Sequence, residues 1–452
     1  MKLTQIFTFL LLAATITATA QEKPAFTLQQ AITTSLDKNF NVISSQSTYE
    51  SQKSSVMSAY GNFLPSLSAS AGWNRSQTWQ PAGVNYQDIG GIQVPIGVTS
   101  GISTRNNFSA GLNAGVTLFD GFATPARLSR ALLNEDAAEQ NLVRTRQSVV
   151  YQTQGLYLNV LRTKSLVKVN EDNLKTSRQQ LDRIVESNKV GAVALADVYR
   201  QQVTTANAEL ALIQAQATYE NAKTSLLSYL SLDVFSEYDY SDASIENEAK
   251  ALDYNQLKAQ YSDYNKLVSQ ALEIRPDYKS AMLAKEGSDQ DVTSARSGYW
   301  PTVSANASYS YSNTELAKLN DYKSLNYGLN ISLPIFNGFR TSVATQQAQL
   351  SAQIADEQVR QTQRQVQSDV KKALLDLESA YKQLDVTVKN LQSAAEDQRI
   401  ANERYTLGAG TLLDNLTAQA NYTKAQSDNV NAAYNYVYAK QEMKYVIGAD
   451  KY

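Results

Sequence analysis

Apolar and polar residues alternate strictly in four segments of this chain. In the clearest segment, every second residue from Phe108 to Leu118 is apolar, with small polar residues or glycines between. The same pattern runs from Leu325 to Ile335, and two further segments follow proline residues. Alternation of this kind gives a β-strand one apolar face and one polar face. The chain therefore predicts two strands at about 65–119 and two at about 301–335.

Two other segments have the periodicity of coiled-coil helices. Apolar residues recur every seven positions at Leu142, Val149 and Leu156, and the second half of the chain repeats this spacing from Val370 onward. A seven-residue repeat is typical of helices that pack along one another, and an ordinary soluble coiled coil would share it. The chain predicts two helical hairpins at about 124–231 and 340–447, and shorter helices at about 28–60 and 264–296.

The sequence contains an internal duplication. Phe-Asp-Gly-Phe at 119–122 recurs as Phe-Asn-Gly-Phe at 336–339, and Gly191 and Asp197 recur as Gly408 and Asp414 at an identical offset. Because loops accept insertions easily, an unchanged spacing over about seventy residues indicates continuous helix. We expect a first repeat at 21–232, a connecting segment at 233–263, a second repeat at 264–452, and strand-to-helix turns at Gly121 and Gly338.

The N-terminal segment has the features of an export signal. Lys2 supplies a positive charge, an apolar run follows, and Ala18-Thr19-Ala20 fits a cleavage site with small residues. We therefore predict a signal peptide at 1–20. No later segment has eighteen consecutive apolar residues, so the sequence predicts no transmembrane helix.

The composition argues against several classes of function. The chain has no cysteine and no histidine, which removes disulfides, the usual general base and the commonest transition-metal ligands. We therefore expect no enzyme activity, no catalytic residue, no metal site and no cofactor. The formal net charge is −2, so the basic surface of a nucleic-acid-binding protein is not expected.

The predicted strands have features of a membrane β-barrel. Their polar positions are small and neutral, the alternating segments have the nine to eleven residues that roughly span a bilayer, and aromatic residues gather at their ends. A half-buried sheet of a soluble protein would show the same alternation. Four strands cannot close a barrel, and an open sheet edge in lipid is unfavourable. Several copies of the chain are needed, and three copies give twelve strands around an open lumen.

The order of these motifs resembles the TolC-type outer-membrane efflux proteins. The duplicated Phe-Asp/Asn-Gly, the Leu64-Pro65 and Trp300-Pro301 strand openings, and the turns at Val190-Gly191 and Tyr405-Thr406-Leu407-Gly408 carry the resemblance. It covers essentially the whole chain after the signal peptide. The resemblance implies an α+β membrane protein, a homotrimer whose twelve-stranded transmembrane β-barrel, four strands per chain, lies in outer-membrane lipid. That barrel would continue into a long periplasmic α-helical barrel of coiled-coil hairpins.

The resemblance also implies a function and partners. The channel would be the passive exit duct of a tripartite efflux system that exports small toxic molecules. It would dock a periplasmic adaptor (membrane fusion) protein and an inner-membrane RND or ABC transporter. Two alternatives stay open, an outer-membrane duct for type I protein secretion and a passive porin-like pore. A porin needs only short periplasmic turns, so the long hairpins argue against it.

By resemblance, the functional residues lie at the tips of the two hairpins. Asp414 would line the channel gate once per protomer, near Thr417. Gly410 and Thr417 depart from the family pattern, because well-studied relatives place an arginine and a second aspartate there. The alternative for Asp414 is an exposed aspartate stabilised by the helix dipole. The residues expected at the tip and at the adaptor contact are Gly191, Asp197, Tyr405, Gly408 and Gly410.

Overall fold

The computed structural model describes residues 25–98, 100–249 and 253–449, so the predicted signal peptide lies outside the described residues. The helices are α1 (Leu28–Lys38), α2 (Phe40–Gly61), α3 (Ala123–Lys189), α4 (Leu195–Tyr229), α5 (Ala243–Glu248), α6 (Tyr254–Gln260), α7 (Tyr264–Ile274), α8 (Pro276–Arg296), α9 (Arg340–Thr406) and α10 (Leu412–Val446). The strands are β1 (Ala25–Phe26), β2 (Ser66–Gln80), β3 (Gly83–Ile89), β4 (Ile92–Val98), β5 (Gly101–Phe119), β6 (Asp239–Tyr240), β7 (Thr302–Asn313) and β8 (Lys323–Ser332). No helix in the described ranges combines the length and apolar character needed to cross a bilayer.

Four strands form one antiparallel sheet in the order β2-β5-β7-β8. β2 pairs with β5 over its full length, and β7 pairs with both β5 and β8. Among the described residues, no further strand lies beside the outer edge of β2 or of β8. Leu329 and Ile331 of β8 are each 71% exposed. The sheet therefore has two open edges and apolar side chains that this protomer alone does not cover.

The first pair of strands is longer than the alternation predicts. β2 has 15 residues and β5 has 19, whereas β7 and β8, with 12 and 10, are close to the predicted length. The β2–β5 ladder continues past the alternating positions into polar residues such as Arg75 and Asn106, because ladder hydrogen bonds use main-chain atoms only. Beyond this ladder, β3 and β4 form a separate antiparallel hairpin.

The two long hairpins have matched lengths. α3 and α9 each have 67 residues, and α4 and α10 each have 35. The first residues of the long helices, Ala123 and Arg340, are separated by the same offset as the duplicated sequence motifs. Val149 and Val370, at heptad positions of the two long helices, are both buried. The duplication of the sequence is therefore also a duplication of the structure.

Helices occupy the predicted ranges 28–60 and 264–296, and each range contains one break, at Asn39, where the family resemblance includes a turn, and at Arg275. Asn39 follows α1 with φ −68° and ψ 130°, and Arg275 precedes α8 with φ −60° and ψ 124°. These extended torsions cannot continue an α-helix. Both side chains are buried, and Asn39 Nδ2 donates to the carbonyl of Tyr229 at 2.9 Å. Each interruption therefore places one polar side chain in the interior, which apolar periodicity does not reveal.

The described residues divide into two compact units, and each unit takes segments from both repeats. The hairpin unit contains the segment up to Ile43, Arg146–Tyr264 and Lys371–Val446, and the sheet unit contains Ser44–Thr145, Asn265–Val370 and the segment from Ile447. In the hairpin unit, β1 and β6 pair in parallel, and Tyr157 Oη donates to the carbonyl of Phe26 at 2.7 Å. The segment 233–263 thus contributes β6 to the core of this unit.

Candidate functional site

Both helical hairpins turn at a glycine. Gly191 lies between α3 and α4, and Gly408 lies between α9 and α10, with φ angles of +76° and +72°. A Cβ atom at either position would meet nothing within 4 Å, so the left-handed backbone, rather than lack of space, favours glycine. In each turn the residue after the glycine donates its N–H to the carbonyl five residues earlier, Ala192 to Ser187 at 2.9 Å and Ala409 to Arg404 at 2.8 Å.

A small apolar cluster joins the two turns. Ile184 and Val198 of the first hairpin and Leu412 of the second are buried, and Val185 and Tyr405 pack against them. We call these five residues the tip cluster. Because its members come from all four hairpin helices, the tips of the two repeats meet at one place. The sequence resemblance included Tyr405 and, in the pair Asp197-Val198, Val198, but it did not identify Ile184, Val185 or Leu412.

The resemblance assigns Asp197 and Tyr405 to the tip, and the structure places the charge of Asp197 close enough to act on Tyr405. Asp197 Oδ1 accepts from Arg200 Nη1 at 2.9 Å, so the aspartate charge is paired at the surface of α4. Burial, and to a lesser extent the negative charge of Asp197, raise the pKa of Tyr405 above its ordinary value. Tyr405 is therefore a neutral side chain at physiological pH, and it contributes to the tip through packing.

Asp414 forms a reciprocal cap at the start of α10. Its Oδ2 accepts from the Thr411 N–H at 3.3 Å, and its own N–H donates to Thr411 Oγ1 at 3.2 Å. The hydrogen bonds with the Thr411 side chain and backbone, together with the charge of Arg404, lower the pKa of Asp414. Thr417 lies three residues further on, on the same helix face, and both side chains are exposed. A carboxylate and a hydroxyl therefore line one accessible face next to the turn.

Gly410 is closely packed, and the cation near it comes from Arg404. A Cβ atom at Gly410 would lie 3.1 Å from Arg404 Cβ. Arg404 Nη2 donates to the carbonyl of Ala409 at 3.3 Å, and its charge acts on Asp414. The resemblance pointed to a missing arginine at position 410, but it did not identify Arg404. A basic residue in the last turn of α9 was the available signal, because cations are favoured at helix C-termini.

A groove of about 340 Å³ lies beside the tip cluster in the hairpin unit. We call it the tip groove, and its lining includes Gln180, Ser187, Asn402, Tyr405, Gly408, Gly410 and Asn415. Asn415 is 1% exposed, and neither its Oδ1 nor its Nδ2 has a hydrogen-bond partner in the described protein. The tip groove therefore offers the hydrogen-bonding amide of Asn415, and the tip also carries the charges of Asp414 and Arg404. Within the described residues, no group of three or more acidic side chains is placed to hold a metal ion.

The predicted strand-to-helix turns differ in how tightly they pack. Gly121 and Gly338 both have a φ of +67°. A Cβ atom at Gly121 would lie 2.6 Å from the carbonyl oxygen of Ser297 and 2.7 Å from Trp300 Cβ, whereas one at Gly338 would meet nothing within 4 Å. Only the first turn therefore requires glycine for space as well as for backbone conformation.

Comparison with known proteins shows which family the chain belongs to. The sequence model of the outer membrane efflux proteins matches residues 31–231 and 267–449. The protein TolC of Salmonella enteritidis is 24% identical over 405 residues, which is 87% of this chain and 76% of TolC. The efflux protein BepC of Brucella suis is 24% identical over 394 residues, covering 86% and 83% of the two chains. The crystal structure of the Campylobacter jejuni CmeC outer membrane channel has a TM-score of 0.77 at 19% identity, covering 93% of this chain and 85% of CmeC.

The chain belongs to the outer membrane efflux protein family. The TM-score establishes the shared α+β fold with its internal duplication, and the family match covers both repeats. The protein is an outer-membrane duct of an efflux system and extends into the periplasm. The resemblance stated from the sequence motifs is thereby confirmed.

Proposed function

We propose that three copies of the chain close a twelve-stranded barrel in the outer membrane. The observation that carries this proposal is the pair of open edges, on β2 and β8, of the four-stranded sheet. In hydrocarbon an unpaired strand edge is strongly unfavourable, and pairing β8 of one copy with β2 of the next removes every edge. Two copies would give eight strands, whose interior side chains fill the barrel, whereas twelve leave an open lumen. The exposed Leu329 and Ile331 would then face lipid.

The trimer would act as a passive exit duct. A periplasmic adaptor protein docks at the hairpin tips, and an inner-membrane RND or ABC transporter supplies the energy. The cargo is small toxic molecules that the cell expels. Family membership and the efflux proteins among the relatives support this function.

We further propose that the tip contains both the gate and the docking surface. Asp414 and Thr417, exposed on one face of α10, form the gate, where a carboxylate repeated around a threefold axis attracts cations. The turns at Gly191 and Gly408 let a partner approach the backbone closely, and Gly410 belongs to the same docking surface. Asp197 and Tyr405 hold the tips of the two repeats in register. Gly121 and Gly338 direct the chain from strand to helix.

Two measurements on the full chain test this function. Native mass spectrometry of the detergent-purified protein should give the mass of three copies, and deletion of the gene should make the bacterium more susceptible to toxic compounds. Expression of the parent gene in the deletion strain is the control, and it should restore resistance. A monomeric or dimeric mass would contradict the closure of the barrel, and unchanged susceptibility would contradict the efflux role.

A further inference from the structure

The tip groove contains a buried side chain whose hydrogen-bonding capacity is unused. Asn415 is 1% exposed, and both polar atoms of its amide lack a partner in the described protein. An unsatisfied buried polar group is destabilising, so a native structure needs a reason to keep one. The same residue lines the tip groove, which is large enough to admit a ligand. A ligand atom that reached the Asn415 amide from the groove would satisfy it.

The internal duplication shows that this polarity is specific to the second hairpin. At the offset that relates Gly408 to Gly191, Asn415 corresponds to Val198, and Asn402 corresponds to Val185. Both valines belong to the tip cluster. The same two positions are therefore apolar and packed in the first hairpin, but carry carboxamides that line the groove in the second. The fold alone does not require asparagine at either position.

A third carboxamide lines the same groove. Gln180 is 7% exposed, and within the described residues its side chain has no hydrogen bond. A carboxamide carries one carbonyl acceptor and an N–H donor group, which is the same combination that a main-chain peptide group presents. Gly408 adds no side chain to the groove wall, and a Cβ atom there would meet nothing within 4 Å, so this turn leaves room for another backbone.

We propose that the tip groove binds a short main-chain segment of a protein partner, through the carboxamides of Asn415, Asn402 and Gln180. This inference rests on the proposed docking of an adaptor at the hairpin tips, and it specifies the chemistry of that contact. Recognition is by peptide groups rather than by side chains of the partner. A backbone segment with alternating carbonyl and N–H groups satisfies the Asn415 amide that the protomer leaves unpaired.

The test uses the absence of cysteine in the chain. A Ser187→Cys substitution places a single thiol in the groove wall, and a bimane fluorophore attached there reports on occupancy. The probe is N-acetyl-triglycine amide, which presents peptide groups without side chains. We expect a saturable fluorescence change in the labelled trimer. Addition of Asn415→Val, the residue type of the first hairpin, should weaken binding at least about tenfold, a loss of about 1.4 kcal/mol.

Two controls separate binding from folding. Asn421→Val changes an exposed asparagine of the same helix and should leave the affinity for the probe unchanged. The thermal midpoint of the Asn415→Val variant should equal or exceed that of the parent, because the substitution removes an unsatisfied buried amide.

Two results would overturn the proposal. One is equal affinity for the probe in the parent and in the Asn415→Val variant, and the other is no saturable response in the parent, which would mean that the groove holds water only. The trimer mass and the susceptibility test do not depend on this probe. Failure of peptide binding with normal efflux would therefore reject only this inference, whereas loss of the efflux role would reject the proposed function.

Discussion

Asn39 and Arg275 interrupt equivalent helices in the two repeats with nearly the same backbone torsions, but their side chains have different partners. Asn39 Nδ2 donates to the carbonyl of Tyr229 at 2.9 Å. Arg275 donates through Nη2 to Asp277 Oδ2 at 2.6 Å and through Nη1 to Asp369 Oδ2 at 3.1 Å. In the second repeat the helix break is therefore held by the ion pairs of Arg275. In the first repeat it is held by the neutral amide of Asn39.

Loss of the Arg275 side chain should destabilise the protein. Arg275 is buried and pairs with both Asp277 and Asp369. Arg275→Ala therefore leaves the partly buried Asp369 without its cation, and leaves Asp277 with only the more distant Arg144, at 3.7 Å. We expect the free energy of unfolding to fall by about 3 kcal/mol, measured by urea denaturation of the purified protein. Arg360→Ala is the control, because that arginine is exposed and pairs with exposed acids; it should change stability by about 1 kcal/mol or less. Equal effects would contradict the anchoring role.

The same ion pairs should make the protein less stable as the pH becomes acidic. Burial alone would raise the pKa of Asp277, but the hydrogen bonds from Arg275 and the charges of Arg144 and Arg275 outweigh it, so the pKa lies below its ordinary value of 3.8. The stabilisation is therefore complete above pH 3.8 and is lost as the pH falls below that value toward the folded-state pKa. Thermal midpoints between pH 7 and pH 3 should show this loss in the parent and a smaller one in Asp277→Asn. Parallel curves for the two proteins would assign the acid sensitivity to other groups.

A charge on the apolar face of β8 should block assembly in the membrane. Leu329→Lys places an ammonium group on the face proposed to contact lipid, which costs roughly 2–4 kcal/mol near the bilayer midplane. Asn330→Lys is a matched control, because adjacent residues of a strand point to opposite faces and residue 330 would face the lumen. We expect the trimer yield in outer-membrane fractions to fall strongly for the first variant only. If both variants assembled normally, residue 329 would not face lipid.

Tyr405 should act through its ring rather than its hydroxyl. The tyrosine packs against the tip cluster, and within the described residues its hydroxyl forms no hydrogen bond. Tyr405→Phe should therefore leave single-channel conductance in planar bilayers unchanged, whereas Tyr405→Ala should loosen the tip and raise the conductance. A phenylalanine variant that opened the channel as much as the alanine variant would show that the hydroxyl is needed.

Asp414 should control block of the channel by cations. A ring of three carboxylates attracts divalent cations to the gate, so Asp414→Ala should weaken the block of single-channel current by divalent cations at the hairpin-tip side. Asp428→Ala is the control, because that aspartate lies further along the same helix and pairs with Lys424. The concentration giving half-maximal block should rise for the first variant only. Unchanged block in Asp414→Ala would place this residue outside the gate.

The sequence by itself determined the elements and their duplication. Alternating apolar residues predicted the strands around Phe108–Leu118 and Leu325–Ile335, and the unchanged offset between the duplicated motifs predicted two hairpins of equal length. These patterns are local or periodic, so they can be read from one chain. The family motifs at Gly191 and Gly408 likewise pointed to the tips, because a left-handed turn favours glycine wherever it occurs.

Only the tertiary structure decided which side chains meet. No local pattern shows which buried partners Asn39 and Arg275 reach, that Arg404 supplies the cation near Asp414, or that the amide of Asn415 is buried and unpaired beside a groove. Each of these depends on burial and on contacts between helices that are distant in sequence. Periodicity records which face of a helix is apolar, but it does not record which residue of another element lies against that face.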